Sequence, residues 1–322
     1  MEKSVVVHDS REREPVRHIE VSEERAGQRL DNFLMRELGN MPRSRVYRLV
    51  RRGEVRVNGR RAKPEQRLQW HDSVRVPPVR REDPSAPATP SAQLLQGIAA
   101  AIAYEDDKLI LLDKPSGVAA HGGSGVSFGV IEALRALRPK ESLELVHRLD
   151  RDTSGCLLIA RKPSSLRVLH ALLREGRLEK GYLALVKGHW NLGHTRITAA
   201  LRTDARLHGE RTVRVDPKGK AAVSEFRPVQ FFGKKATLVE VALHTGRTHQ
   251  IRVHAAHAGH PVAGDEKYGD EDFNGRMREL GLKRLFLHAH RVGFDWPQGG
   301  QFSANTPLPA DLRSVIERLQ GT

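Results

Sequence analysis

A stretch rich in proline, serine and alanine, VRREDPSAPATPSA at residues 79–92, divides this 322-residue chain into two unequal parts. The stretch has no apolar periodicity, so it is typical of an extended linker rather than of a helix or a strand. It therefore predicts two separate hydrophobic cores. We expect a loose tail at residues 1–17, a small domain at 18–80, a linker at 81–93 and a larger domain at 94–322.

The chain carries a formal net charge of +15 and has a pI near 10.3. On a chain of globular composition this excess indicates a polyanionic partner, usually nucleic acid. A generally cationic surface without such a partner is the alternative. No apolar run approaches the length of about eighteen residues that a membrane helix needs, so we expect no membrane partner. The single cysteine, Cys156, is typical of a chain from the reducing cytoplasm, and its apolar flank predicts that it is buried.

The small domain shows helix and hairpin signals in turn. The stretch RLDNFLMREL has apolar residues at helical spacing and ends at Gly39-Asn40, and a second helix is expected to begin near Pro42. Asn58-Gly59 predicts a tight hairpin, and residues 73–78 predict another strand. Residues 18–80 contain 15 Lys+Arg against 8 Asp+Glu, gathered on the second helix and the hairpin. Such a surface can bind a phosphate backbone, although a solvated basic face on a packing module is the alternative.

Two segments of this domain, RLDNFLMREL and RSRVYRLVRRGEVRVNGRRAKP, resemble the S4 RNA-binding domain in order and spacing. The resemblance implies the αL-like fold of that domain, and it implies structured RNA rather than DNA as the partner. The residues that we expect to contact RNA are Arg43, Arg45, Arg48, Arg51, Arg52, Arg60, Arg61 and Lys63, together with Arg252 of the larger domain.

The larger domain contains short apolar segments that predict strands, among them LILLDKP, GCLLIARK, YLALVKG and ATLVEVALH. Helical patterns lie between them, at residues 130–137 and 164–175. Strands and helices do not alternate strictly, which favours an α+β fold over a doubly wound sheet. Residues 113–125, DKPSGVAAHGGSG, lack the ending of a P-loop and are expected to form a mobile loop that closes over a ligand.

The segment HRLDRDTSG at residues 147–155 places two aspartates, Asp150 and Asp152, beside two arginines. Arg148 and Arg151 would repel a metal cation, and nearby arginines lower the pKa of a carboxyl group. An ionised aspartate is suited to nucleophilic or electrostatic work. The charges alone do not choose between the two aspartates, and they name no reaction.

A third segment, TGRTHQIRVH, follows the strand that ends near residue 243. Thr248 is the expected N-cap of a helix that runs to about residue 258, and Arg247 lies at the junction, where it can pair with a carboxylate or a phosphate. A structural salt bridge is the alternative for Arg247. The spacing of His254, His257 and His260 matches no standard zinc motif, so we expect packing or backbone contacts rather than a metal site.

HRLDRDTSG looks like the signature of the RluA family of pseudouridine synthases. The segments LILLDKPSG, EKGYLALVKG, VEVALHTGRTHQIRVH, GDEKYG and LFLHA agree with that family in order and spacing. The resemblance implies a catalytic domain with a central mixed, mostly antiparallel sheet. It assigns catalysis to Asp150, a stacking tyrosine to Tyr182 and the arginine partner of the aspartate to Arg247, and it gives Asp152 no catalytic role. The remaining residues expected around the site are His147, Arg148, Thr153, Ser154, Lys180 and Leu287.

Within that family, AHGGSGVSFGVIEALRALRP and LELVHRLDRDTSG are most similar to members that modify large-subunit ribosomal RNA. The resemblance implies isomerisation of uridine to pseudouridine in 23S rRNA or its large-subunit precursor, at several separate uridines, by a cytoplasmic monomer without metal or cofactor. Two alternatives remain. One is a related synthase that acts on another stem-loop of the same rRNA, and the other is a non-catalytic RNA-binding or ribosome-assembly factor.

Overall fold

The computed structural model describes residues 15–39, 41, 43–78, 89–122, 128–204 and 212–321. The chain divides into two compact units, Met1–Ala88 and Thr89–Thr322. Most of the expected tail, and residues 81–88 of the expected linker, lie outside the described residues. A helix begins at Ala92, two residues before the expected start of the larger domain, because the Ser91 hydroxyl caps it by accepting from the Leu94 N–H at 3.2 Å.

The first unit packs two helices against a small sheet. Its elements are β1 (Arg17–Glu20), α1 (Leu30–Glu37), α2 (Arg43–Arg51), β2 (Arg56–Val57), β3 (Arg60–Arg61) and β4 (Ser73–Val76). The strands pair antiparallel in the order β1-β4-β2-β3. The hairpin turn between β2 and β3 has φ of 50° at Asn58 and 75° at Gly59. Positive φ at both central positions matches the twist of the flanking strands, as the sequence predicted.

The start of α1 is held against α2 by a buried carboxylate. The Asp31 side chain is fully buried, and it accepts two hydrogen bonds from Arg29, at 3.1 and 2.8 Å, and one from the Tyr47 hydroxyl at 2.7 Å. Burial alone would raise the pKa of Asp31, but these donors lower it to about 2. Asp31 is therefore ionised at neutral pH, and the Arg-Leu-Asp segment fixes the helix pair.

The second unit is built on one large sheet. Its strands are β5 (Ile102–Glu105), β6 (Leu109–Lys114), β7 (Glu144–Leu145), β8 (Ser154–Ala160), β9 (Glu179–Lys187), β10 (Thr195–Thr198), β11 (Leu201–Thr203), β12 (Val213–Val215), β13 (Val223–Phe232), β14 (Ala236–Leu243), β15 (Leu287–Asp295) and β16 (Gln301–Asn305). Its helices are α3 (Ala92–Ala100), α4 (Val130–Leu137), α5 (Pro163–Arg174), α6 (Gln250–His257), α7 (Glu271–Glu279) and α8 (Ala310–Gln320).

Within the described residues, the large sheet runs β10-β13-β14-β9-β15-β8-β6-β5, with β16 beside β15 and β7 beside β8, and β11 and β12 form a separate two-stranded sheet. The pairing of β15 with β8 is parallel, and the other described ladders are antiparallel. The mixed α+β fold expected from the sequence is confirmed. Every residue of β8 is buried, including Cys156 at 2% exposure, because the main core surrounds this strand. In the described part of the chain, no helix combines the length and hydropathy needed to cross a membrane.

Candidate active site

One face of the second unit contains a cavity of about 540 Å³. It brings together residues from five separate parts of the chain: the loop before β8, the end of α5, the start of β9, the segment that joins β14 to α6 with the first turn of that helix, and the start of β15. The lining includes every residue that the sequence placed at the catalytic site except Ser154, namely His147, Arg148, Asp150, Thr153, Lys180, Tyr182, Arg247 and Leu287. Sequence segments up to 140 residues apart therefore meet at one cavity.

Asp150 lies in the turn between β7 and β8. Its carbonyl accepts a hydrogen bond from the Thr153 N–H at 3.2 Å, and its side chain is 20% exposed. Gly155 then adopts φ of 107° where β8 runs parallel to β15, and a Cβ there would lie 2.2 Å from the Ala289 carbonyl oxygen. The Thr-Ser-Gly ending thus allows the close strand pairing that fixes the loop beneath Asp150.

The loop after β6 holds the Asp150 loop in place. The fully buried Lys114 donates to three carbonyl oxygens, those of Pro115 at 2.8 Å, Val118 at 2.8 Å and Arg151 at 3.0 Å. Burial lowers the pKa of Lys114 to about 7, while the charges of Asp152 and Asp150 oppose that shift. Ser116 also donates to the Asp152 carbonyl at 2.8 Å.

The DKPSG segment therefore braces the Asp150 loop. A mobile loop that closes over a ligand was expected at residues 113–125, and residues 123–125 of it lie outside the described residues.

Two basic side chains approach the Asp150 carboxylate. Arg252 Nη1 lies 3.8 Å and His249 Nε2 3.9 Å from Asp150 Oδ2. Arg252 is itself held by a bidentate pair with the buried Asp265, at 2.7 and 2.7 Å, and its guanidinium lies 5.1 Å from the Tyr268 ring centre. Arg252 therefore places a rigidly held positive charge beside the Asp150 carboxylate.

The prediction that Arg247 pairs with Asp150 is wrong in this structure. Arg247 lines the same cavity, but its Nε donates to the Ala221 carbonyl at 3.1 Å, and Arg252 occupies the position beside the carboxylate. Arg252, which was expected to contact RNA, is largely buried, paired with Asp265 and part of the cavity lining, and its role in RNA binding stays a prediction. Arg247 lies before the helix, in the loop, whereas Arg252 projects from its first turn.

His249 is a site residue that the sequence did not single out for catalysis. It, rather than the predicted Thr248, is the N-cap of α6, and it has a left-handed φ of 52°. Its Nδ1 lies 2.8 Å from the Tyr268 hydroxyl, which accepts from the Val213 N–H at 3.0 Å. Burial lowers the pKa of His249, so the ring is neutral at pH 7.

The tautomer that lets the Tyr268 hydroxyl donate to Nδ1 leaves the Nε2 proton facing Asp150. The left-handed φ that aims the ring was not recognisable from the sequence pattern.

Tyr182 and its neighbours form the inner wall of the cavity. Tyr182 is 6% exposed, and burial, together with the charge of Asp150, raises its pKa, so its hydroxyl is protonated at neutral pH. His147 accepts a hydrogen bond from the Leu158 N–H at 3.2 Å, and burial lowers its pKa to about 3. Burial also lowers the pKa of Lys180. The wall therefore combines an aromatic ring with one neutral histidine beside the exposed Arg148.

The predicted histidine series does not form a metal site within the residues that the structure describes, where no cluster of three metal-binding side chains occurs. His254 bonds to Ser224 Oγ and to the Ala199 carbonyl, each at 3.0 Å, and His260 Nδ1 lies 2.8 Å from the Lys187 carbonyl. These histidines connect α6 and its C-terminal loop to the neighbouring strands.

The expected RNA contacts of the first unit lie on its surface. Arg45 is half-buried, the side chain of Arg43 lies outside the described residues, and the remaining positions are exposed: Arg48, Arg51, Arg52, Arg60, Arg61 and Lys63. Their role in RNA binding stays a prediction.

Comparison with known proteins identifies both units. The RNA pseudouridylate synthase family matches residues 108–257, and the S4 domain matches residues 28–74. The chain is 50% identical to a Haemophilus influenzae protein named Ribosomal large subunit pseudouridine synthase C, over 95% of each chain. It is 48% identical to the Escherichia coli K12 protein of the same name, over 95% of this chain and 97% of the relative.

Among solved structures, human RNA Pseudouridylate Synthase Domain Containing 4 has the same fold, with a TM-score of 0.59 and 23% identity over 71% of this chain and 96% of that one. The aspartate, the tyrosine and the buried arginine thus meet on a fold that the comparisons identify independently. The chain belongs to the family of RNA pseudouridylate synthases, in a form that also carries an S4 domain.

Proposed function

We propose that this enzyme converts uridine to pseudouridine at several separate positions of 23S rRNA or its large-subunit precursor, with Asp150 as the catalytic residue. The observation that carries the assignment is the position of Asp150 in the cavity, with Arg252 at 3.8 Å and His249 at 3.9 Å. The two relatives that are 50% and 48% identical to this chain bear names that specify the large ribosomal subunit, and these names support that substrate.

In the proposed reaction, the bond between N1 of uracil and C1′ of ribose breaks, the uracil turns, and C5 forms a new bond to C1′. The proton that leaves C5 is balanced by the proton that N1 carries in the product, so the reaction is an isomerisation without oxidation or reduction. An ionised Asp150 can act on C1′ of the sugar or on the uracil ring. Because no electrons or groups are exchanged with another molecule, we propose that no cofactor takes part.

The walls of the cavity support the same chemistry. A uridine must leave its stack to reach Asp150, which costs a few kcal/mol, and stacking on the Tyr182 ring would offset that cost. The Tyr182 hydroxyl, held in its protonated form, can exchange a proton with the turning base. Arg252, fixed by Asp265, stabilises the carboxylate before and after the base turns.

The test replaces Asp150 with Asn and measures pseudouridine formation in an unmodified 23S transcript. We expect the rate to fall at least about a thousandfold, while RNA affinity stays within about a factor of two, because the substitution removes a reacting group and no phosphate contact. Asp152→Asn is the matched control, since Asp152 lies two residues away with a side chain that is 53% exposed. Full activity in Asp150→Asn, or an equal loss in Asp152→Asn, would contradict the assignment.

The choice of uridines requires a separate experiment. Pseudouridines in large-subunit rRNA are mapped in cells with and without the gene, and we expect several separate positions to disappear. Loss of positions in a single other stem-loop would favour the related synthase considered above, and an unchanged map would favour a non-catalytic RNA-binding factor. We propose that the enzyme acts as a monomer in the cytoplasm, and its single cysteine supports that compartment.

A further inference from the structure

The first unit carries an exposed tryptophan whose position is unusually well fixed. Trp70 is 55% exposed, the largest exposed fraction among the large hydrophobic side chains of the described residues. Its ring stacks on His71, with ring centres 4.3 Å apart and planes inclined by 25°. One face of the indole is thereby covered, and solvent reaches the other face.

The backbone beneath this tryptophan is strained. His71 has φ of 65°, one of three non-glycine residues with positive φ in the described chain. Of the other two, Asn58 lies in the hairpin turn and His249 lies beside Asp150. A left-handed backbone is unfavourable for a residue with a Cβ, and such strain persists where the surrounding structure holds it and is often found at functional positions.

Several contacts hold the turn that presents Trp70. The His71 N–H donates to the Val21 carbonyl at 3.0 Å, and His71 Nδ1 lies 2.5 Å from Glu20 Oε1. Asp72 accepts from the Gln69 N–H at 2.7 Å and from Asn58 Nδ2 at 2.7 Å. The last contact ties the turn directly to the hairpin of β2 and β3. Trp70 is therefore presented by a preorganised turn rather than by a loose loop.

The surroundings indicate what binds there. The hairpin bonded to the turn carries exposed Arg56, Arg60 and Arg61, and this unit has an excess of positive charge. One indole offers at most about 250 Å², far below the roughly 800 Å² per partner of a stable protein interface, and its neighbours in the turn are polar. Unpaired RNA bases, in contrast, stack singly on aromatic rings beside basic residues that bind their phosphates.

We propose that Trp70 is a stacking site for one unpaired nucleobase of the RNA substrate, with the hairpin arginines binding the adjacent phosphates. The site is distinct from the catalytic cavity and would add affinity for a single-stranded or bulged element next to the structured RNA held by the S4 domain. This inference rests on the proposed function, because it takes RNA as the substrate.

The experiment compares the full-length protein with Trp70→Ala and Trp70→Phe for binding to an unmodified 23S transcript. Stacking of one base predicts that Trp70→Ala weakens binding about 5- to 100-fold, and that Trp70→Phe recovers most of the loss. The dependence of affinity on salt should stay unchanged, because no phosphate contact is removed. Phe231→Ala is the matched control, since Phe231 is 47% exposed and stacks on His189 with ring centres 4.4 Å apart, but belongs to the second unit.

A direct signal comes from tryptophan fluorescence. Trp190 is 1% exposed and Trp296 is half-buried, so a mixed-sequence single-stranded RNA oligonucleotide should quench chiefly Trp70, and Trp70→Phe should remove that quenching.

Trp70→Ala binding within a factor of two of the wild type, an equal loss in Phe231→Ala, or no quenching at saturating oligonucleotide would overturn the proposal. Pseudouridine formation by the wild-type protein is measured in parallel. Its absence would refute the proposed function, whereas its presence with unaltered Trp70→Ala binding would refute only the stacking site.

Discussion

Asp265 is a buried residue that positions other side chains of the candidate active site. Its buried carboxylate receives both arms of Arg252, and it also accepts from the N–H groups of Lys267 and Tyr268 at 3.0 Å each. These donors lower the pKa of Asp265 against the opposing effect of burial. A single carboxylate thereby sets the position of the arginine beside Asp150 and of the tyrosine that bonds to His249.

We predict that Asp265→Asn lowers the single-turnover rate about 10- to 100-fold, with little change in RNA affinity. The amide cannot accept both guanidinium arms, so Arg252 moves relative to Asp150, and displacements of about 1 Å carry penalties of this size. Rates are measured by tritium release from labelled uridine. Glu266→Gln, which neutralises the exposed neighbouring carboxylate, should retain activity. A fall in affinity with an unchanged rate would contradict the positioning role.

His147 makes the stability of the fold depend on pH. Burial lowers its folded-state pKa to about 3 from an ordinary value of 6.5. Between these values the unfolded state binds the extra proton, so stability is complete above pH 6.5 and declines as pH falls towards 3.

We predict that the free energy of unfolding of the wild type falls by about 2 kcal/mol more than that of His147→Gln between pH 6.5 and 5. Glutamine can still accept from the Leu158 N–H, but it does not titrate. Urea unfolding at several pH values measures the difference, and parallel curves for the two proteins would show that His147 is not the cause.

At the level of elements, the loop after β6 acts as a brace for the loop before β8. Lys114 joins them through three carbonyl oxygens, and it is fully buried. We predict that Lys114→Met lowers the free energy of unfolding by about 3 kcal/mol, because three carbonyl oxygens lose the Lys114 donor. The catalytic rate should fall with it, since the Asp150 loop loses its support.

Thermal unfolding and single-turnover rates measure the two effects of Lys114→Met. Lys162→Met is the control, because Lys162 is half exposed and pairs only at the surface with Asp107. Equal changes in both variants would contradict the bracing role.

Regular elements were predictable where local sequence decides them. The helix expected at residues 130–137 is α4, Val130–Leu137, and the helix expected at 164–175 is α5, Pro163–Arg174. Periodic apolar residues predicted both helices, and the Asn58-Gly59 pair predicted the hairpin turn. Four strands recognised from apolar runs became β6, β8, β9 and β14. In each case the pattern and the final packing agree over a short span.

The start of α6 was not predictable in the same way. Thr248 has the better capping chemistry, yet His249 is the N-cap, because Tyr268 holds its ring and the left-handed backbone aims it at Asp150. Likewise, the choice of Arg252 over Arg247 depends on Asp265, which is buried against α6 only after the chain has turned back. Tertiary partners, rather than local spacing, select these site residues.

At the scale of the whole molecule, the chain consists of two compact units. We predict that removal of residues 1–88 weakens binding to 23S RNA strongly while sparing chemistry on RNA that is already bound. The slope of log affinity against log salt should decrease by about 0.7–0.9 for every phosphate that the first unit neutralises. The exposed arginines on α2 and on the β2–β3 hairpin supply these positive charges.

Filter binding at several salt concentrations measures the slope, and single-turnover reaction at saturating RNA measures the chemistry. Arg313→Ala, an exposed arginine on α8, is the control and should change the slope by at most about one. An unchanged slope after removal of the first unit would contradict its role in RNA binding.

The place of β15 in the large sheet has a consequence for the order of events during synthesis. This strand lies between β8 and β9 in the sheet. Residues 287–295 therefore join the part formed by β8, β6 and β5, which begins just after Asp150, to the part that contains β9 and Tyr182. The two halves can join only after residues 287–295 have left the ribosome. A nascent polypeptide therefore lacks an assembled active site until β15 has been synthesised, and uridine modification can begin only after that point.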